Sequence, residues 1–387
     1  MTEWIATGMA VLILVYLMVT LLECIAGFRS IKRLSAQASL PDDELPMISI
    51  IFSALNEEKH IVQTLSSLAK LEYPRFEIIA VDDRSTDMTS RMLDRLQYQY
   101  VNLKIFHVRE LPHGWLGKNH ALHFAAQQAR GDWLLFTDAD VEMQTQVLGK
   151  AITYALENQL DHVTIYEHHA RRNFWLDMLM LGTDIAYSIG IKPWRIRYRR
   201  SNKFLGHGAF NLINKKVYQA CGGHQSIALE CLDDMMLGHL VKSKGFRQDV
   251  VNGKEFVARD WYPSCHEMIK GLQKNSFAHF QFEFPRFFMS FLAAAIVFLF
   301  PLTGVCLFTG AAFQINLLNI LLTVLLSMTV ADEFRLSRRY ALLYPLAMLL
   351  LFYALWNSVI MTYRHRGIYW RDTFYPLDAL KNKETAG

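Results

Sequence analysis

Apolar residues gather at the two ends of the chain in long uncharged runs: Trp4–Leu22 (19 residues), Phe287–Val330 (44 residues) and Tyr340–Tyr363 (24 residues). A helix that spans a bilayer takes about 20 apolar residues. The runs therefore predict one, two and one spans: one N-terminal transmembrane helix and about three C-terminal ones. The long run is expected to turn within Gly310–Asn316, where Gly, Gln and Asn cluster, and Pro301 and Pro345 are candidate break points. The first run reads as an uncleaved anchor rather than a signal peptide, because Met1-Thr2-Glu3 carries no basic residue and the run outlasts a signal core.

Basic residues set the expected orientation. Arg29, Lys32 and Arg33 follow the first run, and Arg335, Arg338 and Arg339 lie between the last two. The positive-inside rule puts both stretches, and the central block with them, in the cytoplasm. The tail breaks the pattern: Arg364, Arg366, Arg371, Lys381 and Lys383 follow an even number of spans and so fall outside. A re-entrant or interfacial late segment would remove the conflict.

Between the runs the pattern changes to short β-branched stretches alternating with helical ones. Met47–Ala54, Glu77–Val81, Leu103–Val108 and Trp133–Thr137 read as strands. His60–Leu71, the segment through Leu96 (N-capped by Thr86 or Asp87) and Asn119–Arg130 (closed by Gly131) read as helices. Alternation of this kind predicts an α/β fold with a mostly parallel, doubly wound sheet, whose ligands bind beyond the carboxyl ends of the strands. Phe174–Ile191 is apolar and flanked by Arg171, Arg172 and the basic stretch Arg195–Arg200. It suits a helix on an anionic lipid surface and a core helix beside a solvated basic loop equally well.

Composition sharpens this in one respect. At 52% apolar and 20% charged, with mean hydropathy +0.12, the 387 residues are too apolar for an ordinary soluble enzyme and too ordered for a low-complexity chain. A net charge of +4 gives no nucleic-acid footprint. Five scattered cysteines without a CxxC pair argue against a disulfide framework or a zinc site.

The candidate chemistry lies at the strand ends. Asp138-Ala139-Asp140 follows WLLFT, and side chains at i and i+2 of an extended stretch point the same way. Two carboxylates held together call for a cation between them, and a hard divalent ion shared with a diphosphate fits; N-capping of a solvated turn is the plainer account. Asp82-Asp83 ends the second strand. Ser85, Thr86 and Asp87 suffice for capping there, which leaves a carboxylate to accept from a nucleobase imide N–H. Gly114-Trp115-Leu116-Gly117-Lys118 opens the Asn119 helix and combines close backbone approach, a point charge and a helix N-terminus, as a phosphate contact requires. It lacks the P-loop spacing. Glu230, Asp233 and Asp234 crowd another helix start, beyond what dipole compensation needs; a general base is the sharper reading. Phe277, Phe280, Phe282, Phe284, Phe287 and Phe288 mark a bilayer interface or, more specifically, an acceptor portal.

In chain order, SIIFSALNEEKHI, IIAVDDRSTD, GWLGKNHAL, GDWLLFTDADV, GHGAFNLINKKVYQACGGH and LDDMMLGHLVKSKG resemble the inverting glycosyltransferases of family 2, over roughly residues 47–250. The membrane layout resembles the branch acting on isoprenoid lipids, hopanoid-associated and diaponeurosporenoate (carotenoid) glycosyltransferases, and more distantly ceramide glucosyltransferases. The resemblance implies a GT-A (Rossmann-like) domain over 28–286, after an anchor at 1–27 and before membrane helices at 287–363 and a polar tail at 364–387. It implies that Asp82 or Asp83, with Asn56 and Glu57, binds the base of a nucleotide sugar, UDP-sugar by expectation. Asp138 and Asp140 would hold ribose and a Mg²⁺ or Mn²⁺ on the diphosphate, and Lys118 would sit by the donor. His207 and Gly208 match the loop at the sugar–acceptor junction. Asp234 matches the catalytic base, with Asp233 in the place of a glutamate. The family's QxxRW motif is reduced to Gln273-Lys274-Asn275-Ser276-Phe277, so Lys274 alone is left to carry charge toward the diphosphate. Loss of Arg-Trp argues for a single transfer to a membrane lipid at the bacterial inner membrane and against a processive polysaccharide synthase. A transport or scaffold subunit with a decayed transferase domain is disfavoured by the intact acids and by uncharged membrane runs.

Overall fold

The computed structural model describes residues 2–169, 173–259, 262–370 and 373–382. Arg171, Arg172, Arg371 and Lys383, invoked above, lie outside the described residues. In chain order the strands are β1 (Lys32–Arg33), β2 (Ile48–Ala54), β3 (Phe76–Asp83), β4 (Leu103–Val108), β5 (Trp133–Phe136), β6 (Val141–Met143), β7 (His162–Tyr166), β8 (His168–His169), β9 (Asn211–Asn214), β10 (Gln248–Asn252), β11 (Val257–Arg259), β12 (Gly367–Trp370) and β13 (Thr373–Pro376). The helices are α1 (Thr2–Ser30), α2 (Ile61–Ala69), α3 (Thr89–Gln97), α4 (Gly117–Gln128), α5 (Val147–Glu157), α6 (Phe174–Ile191), α7 (Lys215–Ala220), α8 (Asp233–Ser243), α9 (Cys265–His279), α10 (Phe284–Leu307), α11 (Gly310–Glu333) and α12 (Tyr344–His365).

The chain divides into two compact units: a sheet unit, Ile31–Ala170, Pro193–Trp261 and Asp378–Gly387, and a helical unit, Met1–Ser30, Arg171–Lys192 and Tyr262–Leu377. In the sheet unit, eight strands run in the order β1-β10-β7-β9-β5-β2-β3-β4. All neighbours are parallel except β9, which runs against both β5 and β7. Helices cover both faces, so every residue of β2 is buried and the strand reads as a continuous apolar run. Ile61, Leu65 and Leu68 of α2 join the core on one face; Ala121, Leu122 and Ala125 of α4 join it on the other. A second sheet, β6-β11-β8, stands where β5 ends, with β11 antiparallel to β6.

The expected strands and helices form within a residue or two of their predicted bounds, with two informative exceptions. Gly131 does not cap α4, which ends at Ala129 with φ −70° and ψ 137°. It is a close-approach glycine instead: a Cβ there would stand 2.5 Å from the Ser49 amide nitrogen. The long apolar run turns earlier than Gly310–Asn316, at Phe308–Thr309, and α11 starts at Gly310 with φ +55°. Asn316 lies inside α11, where it donates to the Ala312 carbonyl and leaves no room for a Cβ on Gly304 of α10. Neither proline breaks a helix. α10 continues through Pro301, and Pro345 occupies the first turn of α12, where a missing N–H costs nothing.

Among the described residues, five helices are long and apolar enough to cross a membrane: Glu3–Ser30, Phe174–Arg195, Phe284–Leu307, Gly310–Glu333 and Arg338–His365. α1 and α11 run alongside one another. Thr309, just ahead of α11, donates to Glu3, Asn319 Nδ2 donates to the Ala10 carbonyl, and Phe28 meets Phe334 edge-on.

Candidate active site

Parallel strands point their carboxyl ends one way, so β2, β3 and β5 deliver Asn56, Asp82-Asp83 and Asp138 to the same edge. The loop after β2 is fastened to the loop after β3 by Asn56. With φ +57°, Asn56 turns its Oδ1 to accept from the Thr86 and Asp87 amides at 2.9 and 3.3 Å. The Glu57 and Glu58 amides donate to Thr89 and Asp87. Asp87 also accepts from the Thr89 amide, but the N-cap position of α3 is Met88, one residue beyond the expected Thr86 or Asp87 and without a side-chain cap.

The two adjacent aspartates differ in their surroundings. Both are fully buried; one oxygen of Asp82 accepts from the Ser85 amide and the other faces His107 Nδ1 at 3.0 Å, while His107 Nε2 reaches Asp94. Asp83 is paired with the neighbouring Arg84 guanidinium, at 2.8 and 3.2 Å, and lies against Gly117, where a Cβ would stand 2.4 Å from its Oδ2. Asp83 therefore faces the loop that carries Lys118, and Asp82 does not.

Lys118 and Arg259 organise the acids. Lys118 Nζ lies 2.8 Å from Asp138 Oδ1 and 2.9 Å from Asp233 Oδ2. Burial works against its charge, but Asp138, Asp233 and Asp234 outweigh burial and hold its pKa above the usual lysine value. Arg259 stands between the two acids of the DxD pair, 2.9 Å from Asp138 Oδ2 and 3.1 Å from Asp140 Oδ2. Asp140 Oδ1 is buried without a hydrogen-bond partner. The other face of the pocket is helix α8. Asp234 Oδ1 accepts from the Met235 amide at 2.8 Å. Burial, then the neighbouring Asp233, push the Asp234 carboxyl above its ordinary 3.8, with Lys118 opposing.

Small residues let these groups converge. Lys118, Asp138, Gly208, Asn211, Asp233 and Asp234 line one pocket. A Cβ on Gly208 would stand 2.4 Å from Asp138 Oδ2 and 3.3 Å from Asp234 Oδ2. His207, beside it, meets Glu167 at 3.3 Å; burial lowers its pKa and Glu167, then Asp234, raise it further, so the net shift is upward. The two walls are stapled by Asn119. It is fully buried, and its amide donates to the carbonyls of Ile227, Ala228 and Glu230, fixing the approach to Asp233. Asn211 Nδ2 donates to the Asp234 carbonyl.

The site residues expected from the sequence thus gather at one sheet edge, apart from Lys274. Lys274 belongs to α9 of the helical unit, its ammonium 3.9 Å from the centre of the Trp370 ring. Arg259, Glu167, Asn119 and Asn211 were not singled out from the sequence. Arg259 reaches the DxD pair because β11 pairs with β6 and sets it opposite Val141. No local spacing signals that contact.

Four carboxylates (Asp138, Asp140, Asp233, Asp234) face two cations (Lys118, Arg259), which leaves two negative charges uncompensated. Among the described residues no group of three or more His, Cys, Asp or Glu could hold a metal by itself. The donor set, two carboxylates with one orphaned oxygen, fits a hard divalent ion that takes its remaining ligands from a diphosphate.

A mixed α/β sheet with these acids at its carboxyl edge defines the class, a glycosyltransferase of the GT-A fold. The fold is shared with a solved mannosyltransferase, PcManGT from Pyrobaculum calidifontis in complex with GDP-Man and Mn²⁺, at a TM-score of 0.55 and 17% identity over 93% of this chain and 99% of that one. Residues 49–222, a little under half of the chain, match the family model described as Glycosyl transferase family 2. Among curated relatives, a 4,4'-diaponeurosporenoate glycosyltransferase of Staphylococcus haemolyticus is 26% identical over 66% of this chain and 68% of its own length. A beta-monoglucosyldiacylglycerol synthase of Nostoc sp. is 27% identical over 46% of this chain and 38% of its own length, so the similarity spans well under half of that relative.

Proposed function

We propose that the protein transfers one sugar from a nucleotide diphosphate sugar, uridine being the expected nucleotide, to a hydroxyl or carboxyl of a membrane lipid, with inversion at the anomeric carbon. The observation that carries this reading is the convergence of Lys118, Asp138, Asp233 and Asp234 on one pocket at the carboxyl edge of the sheet. Its lipid acceptor is supported by the apolar helices and by the two relatives, one named for a carotenoid acid and one for a diacylglycerol. An isoprenoid lipid is the expected class, and the catalytic block is expected in the cytoplasm.

In this reading Asp83 accepts from the base and Asn56 holds the loop that frames it. Asp138 and Asp140 would hold Mg²⁺ or Mn²⁺, which would supply Lewis-acid neutralisation of the diphosphate. The acceptor oxygen attacks the anomeric carbon from the face opposite the diphosphate. A new C–O bond forms, the bond to the phosphate oxygen breaks, and the diphosphate leaves with the electron pair. Asp234 takes the acceptor hydroxyl's proton; a base of this kind contributes about 10²–10⁴-fold. Burial and Asp233 raise its proton affinity toward what that role needs. Lys118, held in place by Asp138 and Asp233, offsets the leaving group's charge, an electrostatic contribution of the type that usually dominates.

Mass spectrometry of lipid extracts from cells with and without the gene tests the reading. A hexose-bearing lipid is expected to disappear with the gene and to return with the wild-type chain but not with Asp234→Asn. An unchanged lipid profile, or label from a nucleotide sugar collecting in a polymer, would contradict it.

A further inference from the structure

The five apolar helices differ in how they pack. α1, α10 and α11 behave as spans: α1 touches α11 near both of its ends and at Ala10, and Gly304 near the end of α10 packs on Asn316 of α11. α12 is different. All the ring contacts it makes with α10 involve Phe284, Phe287 and Phe291, within the first eight residues of that 24-residue helix. A helix crossing beside α10 would follow it through the bilayer.

Both ends of α12 are tied to segments that adjoin strands of the sheet in the chain. At its C-terminal half, Ser358 accepts from the Phe277 amide at 3.1 Å and donates to the Gln273 carbonyl at 2.6 Å, and Tyr363 meets the Phe277 ring. Beyond it, Trp370 lies under Lys274. Those partners belong to α9, a charged helix (Glu267, Lys270, Lys274) that only five residues separate from β11. At about 3.3–3.6 Å per residue that link is too short to traverse a hydrocarbon core of about 30 Å. At the other end, Tyr340, just before α12, meets Phe174 at the start of α6, and a Cβ on Gly182 of α6 would strike the Ala347 carbonyl.

α6 is itself held to one side. The chain leaves β8 to form it and comes back to β9, which pairs with β7. The returning stretch carries Arg195, Arg197, Arg199, Arg200 and Lys203, with Arg197 paired to Asp249 of β10. An irregular, basic return through lipid would leave backbone groups and charges unsatisfied.

We propose that α12, with α6, lies in the plane of the membrane in the leaflet on the catalytic side, and that the chain crosses three times, through α1, α10 and α11. The surface it offers to acyl chains is the exposed stripe Leu349, Tyr353, Ile360 and Tyr363, opposite a face closed by Ala347, Leu351, Ser358 and Thr362. Exposed arginines bracket the stripe, Arg338 and Arg339 before α12 and Arg364 and Arg366 after it, suited to anionic headgroups. Three crossings return the basic tail to the catalytic side, which removes the conflict with the positive-inside rule. The inference is independent of the proposed reaction.

The test uses the full chain in vesicles containing phosphatidylglycerol, spin-labelled singly at Leu349→Cys and Ile360→Cys, with oxygen and nickel-chelate relaxation reporting depth. An in-plane helix gives the two labels the same depth near the headgroup boundary. A crossing helix separates them by about 16 Å, at 1.5 Å per residue. In parallel, Asp378→Cys in intact cells is challenged with an impermeant maleimide, with Thr309→Cys as the external control. Labelling of position 309 alone supports the three-crossing layout. Labelling of position 378 from outside, or a depth difference of a helical crossing, overturns it.

Discussion

Replacing Lys118 by methionine keeps the stem and removes the charge. The ammonium sits between Asp138 and Asp233 at 2.8 and 2.9 Å, and its side chain is 10% exposed, with Asp138 at 11% and Asp233 at 7%. With so little solvent to screen them, Asp233 and Asp234 lose the cation that offsets them, while Asp138 keeps its pair with Arg259. Removing one partner of a buried pair costs about 3–5 kcal/mol. A unit of roughly 200 residues loses about 2–4 °C of Tm per kcal/mol, so Lys118→Met should unfold about 6–20 °C lower in detergent, followed by tryptophan fluorescence. The double variant Lys118→Met/Asp233→Asn removes the opposed charges together and should recover a large part of that loss, because residues in one ion-pair network are not additive. A Tm within 2 °C of the parent, or losses in the double variant that simply add, would refute the claim that Lys118 holds the acids together.

Three further outcomes follow from the same geometry. Because burial and Asp233 raise the Asp234 carboxyl above 3.8, and a base must be deprotonated, kcat/KM should fall as pH drops through a limb lying above the ordinary aspartate range; a limb at or below about 4 would speak against Asp234. Asp83→Asn, which weakens the pair with the partly exposed Arg84, should raise KM for the donor and lower Tm less than Asp82→Asn, which disturbs the buried His107 and Ser85 contacts and should leave KM for the donor nearer the parent; equal effects from both would remove the distinction. Gly208→Ala should cut transfer at least tenfold while the chain remains folded, since its Cβ would stand 2.4 Å from Asp138 Oδ2; unchanged turnover would mean the pocket has slack there.

Most of the sheet and the acids at its edge were legible because each depends on a short stretch of chain. WLLFT followed by Asp138-Ala139-Asp140 needs only a strand and its end, and Asp233-Asp234 needs only a helix start. Between Asp82 and Asp83 the sequence could not choose, since the difference lies in His107 on the next strand and in Gly117 at the start of α4. Arg259 stayed invisible for the same reason: it meets the DxD pair through the β6–β11 pairing across more than a hundred residues. Gly131 looked like a helix cap because glycine serves two purposes, and only the proximity of Ser49 shows which one applies. The membrane end is harder to read. Hydropathy records that a helix faces apolar surroundings, but whether it crosses depends on which partners hold its two ends.

The central claim is that Asp234 is the base of a sugar transfer, and its most direct measurement is turnover of the purified full chain carrying Asp234→Asn. With donor affinity measured by calorimetry and found within a few-fold of the parent, transfer to a hydroxyl-bearing lipid should fall about 10²–10⁴-fold. Normal turnover at normal protein level and intact donor binding would contradict the account.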